Sequence, residues 1–116
     1  THFGESVEIL ALGTNAIATA QMLKARANRG ASGENAIVRT VEGADVVIGT
    51  LGILLAHAMM GEVTPKMAAA VAGCAATKLI LPIAQENVAV VGVTDDPLPH
   101  LVERLVVDHL QPLIIF

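Results

Sequence analysis

Apolar residues fall along the chain in short blocks separated by glycine-containing polar breaks. Residues 6–12, SVEILAL, form a mainly apolar run between Gly4 and Gly13, the length and flanking of a buried strand. From Asn15 onward Ala16, Ala20, Leu23 and Ala27, joined by Ile17, recur at helical spacing, with Gly30 as the stop. Residues 31–43, ASGENAIVRTVEG, then offer Ser32 as the N-cap of a short helix over 34–41 that ends at Gly43. ADVVIG (44–49) is the second strand, rich in β-branched residues. The following TLGILLAHAMMG is apolar on every side, which predicts a buried helix.

The chain restarts at Thr64-Pro65, an N-cap followed by proline at the first helical position, where its missing N–H costs nothing. KLILPI (78–83) and VAVVGV (88–93) read as two more strands. Only residues 84–87 separate them, too few for a parallel crossover, so direct pairing requires them to be antiparallel. A last helix starts at Asp96 as cap and Pro97, with Leu98, Leu101, Val102, Leu105, Val106 and His109 on one stripe. Alternating strands and helices predict one α/β domain over residues 1–116. Its expected form is a Rossmann-like three-layer sandwich whose mostly parallel sheet has at least four strands and an antiparallel C-terminal strand.

Composition narrows the function classes. Seven Lys and Arg stand against 11 Asp and Glu, a formal charge of −4, and no basic run or Trp or Tyr occurs. A nucleic-acid interface, which needs a cationic face or stacking rings, is excluded on that ground. The longest uncharged apolar run, Val46 to Met60, is about 15 residues against the roughly 20 of a spanning helix, so no membrane span is predicted. Cys74 is the single cysteine. It excludes an internal disulfide, fits a cytoplasmic location, and reads as packing rather than as a nucleophile. A mean hydropathy of +0.64 is high for a small domain, which buries only about 60–70% of its unfolded surface. A homo-oligomer burying Ile53, Leu54, Leu55, Met59, Met60 or residues 113–116 is the predicted outlet.

Ligands of open α/β sheets bind beyond the carboxyl ends of the strands, where helix N-termini present free N–H groups. Gly13, Thr14 and Asn15 follow the first strand, and Gly49, Thr50 and Gly52 end the second. If those strands are neighbours, the two groups share a crevice for a small anionic ligand. Ser32 and Gly33, beside Arg29 and Gly30, could wrap a phosphate, or form only a capped turn. Taken singly, each of these residues fits a cap or a turn better than a ligand site. His57 reads as a satisfied core or interface histidine, His100 and His109 as surface residues of the last helix, and Asp95-Asp96 as a cap before a metal ligand. No His/Asp/Glu pair has a metal-ligand spacing, no catalytic role is assigned, and neither the dinucleotide nor the P-loop glycine pattern is present.

ALGTNAIATAQMLKA, GASGENAI, ADVVIGTLGIL, MMGEVTPKMA and ILPIAQENVAVVGV occur in this order. With their spacing, these motifs resemble a family of short bacterial proteins known only as a domain of unknown function, from about Val7 to Leu105. The resemblance implies a Rossmann-like fold and no assigned activity. It also implies an extra N-terminal strand with a Gly-rich turn, a strand-helix unit with no counterpart here. Two expectations therefore stand side by side: a module binding a nucleotide or another phosphate-bearing metabolite, and a non-catalytic subunit of a protein assembly.

Overall fold

The computed structural model describes residues 7–83, 87–93 and 96–114. Strand β1 (Leu10–Gly13) leads through helix α1 (Ala16–Lys24) to strand β2 (Arg29–Ser32). The two strands pair in parallel, Leu10 opposite Arg29 and Gly13 opposite Ser32. Helix α2 (Glu34–Val41), strand β3 (Val46–Thr50), a 3-10 turn (Leu51–Leu54), helix α3 (Pro65–Gly73) and strand β4 (Thr77–Leu81) follow. β3 and β4 are also parallel, Val46 opposite Thr77 and Thr50 opposite Leu81. The chain then forms α4 (Leu98–Arg104), which continues without a break into a π-helical stretch, Leu105–Leu110, and a last α-helical turn, α5 (Gln111–Ile114). The result is a small α/β protein with two two-stranded parallel ladders.

The principal core lies where α2 meets α3. Ile37 and Val41, one turn apart on α2, pack with Met67, Ala68 and Val71 of α3 and with Val63. Leu12 from β1, Val47 from β3, and Ile53 and Leu54 from the 3-10 turn close over this cluster. Both ladders therefore bury a residue against the same two helices. α3 begins as its sequence predicts: Thr64 Oγ1 accepts from the Met67 N–H at 3.2 Å, and Pro65 takes the first position. Val63 before the cap and Ala68 four positions into the helix are both buried, an apolar pair that fixes the angle at which the chain enters. At the other end, Lys78 Nζ donates to the carbonyls of Cys74 and Ala76 at 2.7 and 3.0 Å, placing a cation on the terminal carbonyls. Cys74 packs against the core and its thiol donates to the Val71 carbonyl, a packing role.

α1 is turned differently from the face its apolar spacing predicts. Ala16, Ile17, Ala20 and Leu23 are exposed, and the one buried residue of the helix is Thr19, at 5% exposure. Glycine on both strands is the reason. A Cβ on Gly30 would lie 2.7 Å from Thr19 Cγ2, and one on Gly13 would overlap Thr19 Oγ1 and sit 2.8 Å from the Asn15 carbonyl oxygen. Two missing side chains let the helix settle close enough for the Thr19 hydroxyl to reach the Asn15 and Ala31 carbonyls, at 3.2 and 3.1 Å. That hydroxyl also accepts from Ser32 Oγ at 2.8 Å, so it is satisfied without water. Gly30, expected as the helix stop, is part of β2; α1 ends instead through Ala25 and the left-handed Arg26, φ 77°.

Five further expectations are corrected. Ser32 does not cap α2: it ends β2, and Gly33, φ 93°, stands at the cap without a side-chain bond. The expected buried helix after β3 is only the 3-10 turn, followed by a reversal in which His57, Met59 and Met60 are left-handed, so His57 is exposed rather than a core residue. The predicted strand 88–93 and its antiparallel pairing do not form; Val88 makes a single bridge, and the chain turns at Val91 and at Gly92, φ 90°. Asp96 accepts from Arg104 at 2.9 Å, while Pro97 stands at the N-cap of α4 with no side-chain bond. On that helix Leu105 is buried but Leu98, Val102 and His109 are exposed; the π-helical stretch, which begins at Leu105, shifts the phase for His109 but not for the two residues before it.

The glycine contact makes a quantitative prediction for thermal or urea denaturation. Gly13→Ala and Gly30→Ala each lower stability by about 1–3 kcal/mol, because the added methyl forces α1 off the ladder. Gly43→Ala, where a Cβ meets nothing within 4 Å, leaves stability unchanged or raises it by up to about 1 kcal/mol. Equal losses at all three positions contradict the close-approach account.

Candidate functional site

β1 and β2 end side by side, and their last residues hand the chain to α1 and α2. The Gly33 N–H donates to the Gly13 carbonyl at 3.0 Å, so the two strand ends are tied together at that point. Asn15 is the N-cap of α1: its backbone is extended, φ −145° and ψ 166°, and its side-chain oxygen accepts from the Ala18 N–H at 2.9 Å. The Thr19 N–H is taken by the Asn15 carbonyl. Helical geometry gives the N–H groups of Ala16 and Ile17 no partner within α1, so the first turn keeps a partial positive charge.

A carboxylate sits at this turn, and it belongs to the chain. Asn15 Nδ2 donates to Glu62 Oε1 at 3.0 Å, and Thr14 Oγ1 donates to Glu62 Oε2 at 3.2 Å. Asn15 thus uses both ends of its amide, the oxygen to cap the helix and the nitrogen to hold the acid. An aspartate would cap equally well but would place a second negative charge against Glu62. The start of α3 repeats the arrangement, with Thr64 capping its own helix while its hydroxyl donates to Glu34 in the first turn of α2. Residues 62–64 therefore cross the ends of α1, α2 and α3, and two carboxylates lie where helix N-termini favour negative charge.

Of the other residues predicted for the site, Ser32, Gly33, Gly49 and Gly52 have structural roles. Ser32 Oγ donates to Thr19 and the Gly33 N–H to Gly13. A Cβ on Gly49 would lie 2.5 Å from Ile53 Cδ1, so that glycine admits the side chain that closes the core. Gly52 is buried in the 3-10 turn, its carbonyl accepting from Leu55, and Thr50 precedes the turn without a side-chain bond to it. No hydrogen bond among the described residues joins Gly13, Thr14 or Asn15 to Gly49, Thr50 or Gly52, and β1 pairs with β2 while β3 pairs with β4. Arg29 begins β2, three residues before the crevice and hence about 10 Å from it along the strand, where it pairs with Glu8 at 2.7 Å. Arg39 lies in the last turn of α2, away from that helix's N-terminus. Asp95 and most of the IAQEN loop lie outside the described residues.

Two open grooves lie elsewhere on the described surface. An open groove of about 400 Å³ runs along the outer side of α4, between Asp96, His100, Glu103, Arg104, Val107 and Asp108, and another of about 330 Å³ lies beside Cys74. Neither includes a residue of the strand-end turns. Among the described residues no three His, Cys, Asp or Glu side chains are placed to hold a metal ion, and no helix is long and apolar enough to cross a membrane.

Glu62 is the residue that sequence reasoning missed. It lies 47 positions from Asn15, and the local signal for it is slight: an acid two residues before the cap of α3.

No curated protein and no solved structure matches the chain. The family profile described as Domain of unknown function (DUF3842) matches residues 1–113, in agreement with the resemblance carried by the motifs between Val7 and Leu105. The chain belongs to this family, Domain of unknown function (DUF3842).

Proposed function

We propose that the protein binds a small anionic molecule, a nucleotide or another phosphate-bearing metabolite, at the first turn of α1. Thr14 and Asn15 supply side-chain donors there, and the N–H groups of Ala16 and Ile17 add the backbone donors of a helix N-terminus. One observation carries the reading: these two side chains already hold a carboxylate, that of Glu62. An anionic ligand replaces Glu62 donor for donor. With Arg29 and Arg39 both placed elsewhere, binding rests on neutral donors against an internal competitor, so its affinity is modest. The role of Gly13 in this reading is to bring α1 close, and Gly49, Thr50 and Gly52 stand at the corresponding end of β3. We also read the two ladders as halves of one Rossmann-like sheet, supported by Leu12 and Val47 packing on the same cluster.

The reading predicts that nucleotides or phosphosugars raise the melting temperature of the unmodified protein. Thr14→Val, which keeps the shape and removes the hydroxyl, weakens the shift about tenfold in concentration, the worth of one hydrogen bond to a charged group. A panel without any shift, or a shift that Thr14→Val leaves intact, removes the anion reading.

A second reading, a homo-oligomeric structural subunit, is favoured by the outward side of α1. Ile17 is 74% exposed and Met22 and Leu23 are also exposed, while the polar Thr19 faces inward. Of the residues expected at an interface, Ile53 and Leu54 pack on the chain's own core while Met59 and Met60 are exposed, and we place the proposed contact on α1. Sedimentation at micromolar concentration is predicted to show a dimer or larger assembly that Ile17→Glu dissociates without lowering thermal stability by more than about 0.5 kcal/mol. A monomer before substitution rules this reading out.

A further inference from the structure

We propose that residues 59–62 form a strap that the Glu62 carboxylate latches shut over the first turn of α1. The inference rests on the anion reading only for what the opened turn receives. The latch itself stands on how the segment is built. Ala58 and Val63 are its feet: both pack on the core cluster, Val63 at 2% exposure, and the Val63 N–H donates to the Ala58 carbonyl at 3.1 Å. The His57 N–H donates to the Val63 carbonyl at 2.6 Å, closing the base of the reversal.

Between the feet nothing apolar holds the strap down. Met59 and Met60 are exposed, Met60 completely, and Gly61 and Glu62 are exposed as well. Of its backbone bonds, Glu62 N–H to the Met59 carbonyl lies within the strap and Gly61 N–H to the His57 carbonyl ties it to its own base, and neither joins it to another element. His57, Met59 and Met60 have φ of 70°, 56° and 57°, a region that side chains with a Cβ disfavour. The closed form therefore carries backbone strain, and the described hydrogen bonds that reach across from the strap to another element are those of Glu62 to Thr14 and Asn15. Breaking them lets residues 59–62 relax about fixed feet and uncovers the Thr14 hydroxyl, the Asn15 amide and the free N–H groups of α1 together.

Amide hydrogen exchange of the full chain tests the latch without any ligand. Glu62→Ala is expected to speed exchange over residues 58–63 about threefold to tenfold, the loss of one or two exposed hydrogen bonds to a charged group, and Thr14→Val to do the same from the opposite side. The peptides of α3 serve as the control for global stability and are expected to keep their protection. Unchanged exchange over 58–63 in both variants, or a rise spread equally over α3, overturns the proposal. Titration with inorganic phosphate, followed by the amide resonances of Thr14 to Ala18, then separates the two readings. Binding about tenfold tighter to Glu62→Ala than to the unmodified protein supports the latch, and equal binding to both overturns it. If neither protein binds phosphate while exchange over 58–63 rises as expected, the latch stands and the anion reading falls.

Discussion

The seating of α1 on the first ladder is the contact on which the rest of this end of the molecule depends. Thr19 enters the space left by the absent side chains of Gly13 and Gly30, and its hydroxyl serves the Asn15 and Ala31 carbonyls and Ser32. That depth fixes the position of the helix's first turn, and therefore where the Asn15 amide and the Thr14 hydroxyl point. Without it the Glu62 carboxylate would have no fixed partner, and residues 62–64 could not span from α1 to the start of α3. A packing constraint thus becomes an electrostatic one within a few residues, because caps and helix ends act only over about a turn.

The same region shows which features a single sequence carries openly. The start of α3 was legible because Thr64 and Pro65 act locally, each through the geometry of its own neighbours. β3 and β4 were legible within one or two residues from their apolar runs. β2 was not, since Arg-Gly-Ala-Ser has no β-branched residue and is a strand only because β1 lies beside it. VAVVGV failed in the opposite sense: it has the composition of a strand, but its chain turns at Val91 and Gly92.

The buried face of α1 was misread for a related reason. Spacing counts apolar positions along one helix and cannot register that two glycines, 17 residues apart in sequence, lie on adjacent strands and together make room for a threonine. Likewise, Thr14 and Asn15 could be singled out from their place after an apolar run, but their acidic partner comes from the far side of α2 and β3. The reversal that delivers it uses two left-handed methionines beside a left-handed histidine, and methionine has no sequence tendency toward that conformation.

The π-helical stretch Leu105–Leu110 changes how the C-terminal segment is wound. A π-helical turn is an α-helix holding one extra residue, and each residue of an α-helix advances the side-chain direction by about 100°. Residues 111–113 consequently present a different edge of the helix from the one an uninterrupted α-helix would offer. Single-residue deletion here is the length change the scaffold can absorb, closing the wide turn into an ordinary one while rotating everything beyond it. Two chains differing by that one residue would share the body of the fold and display different side chains at its end.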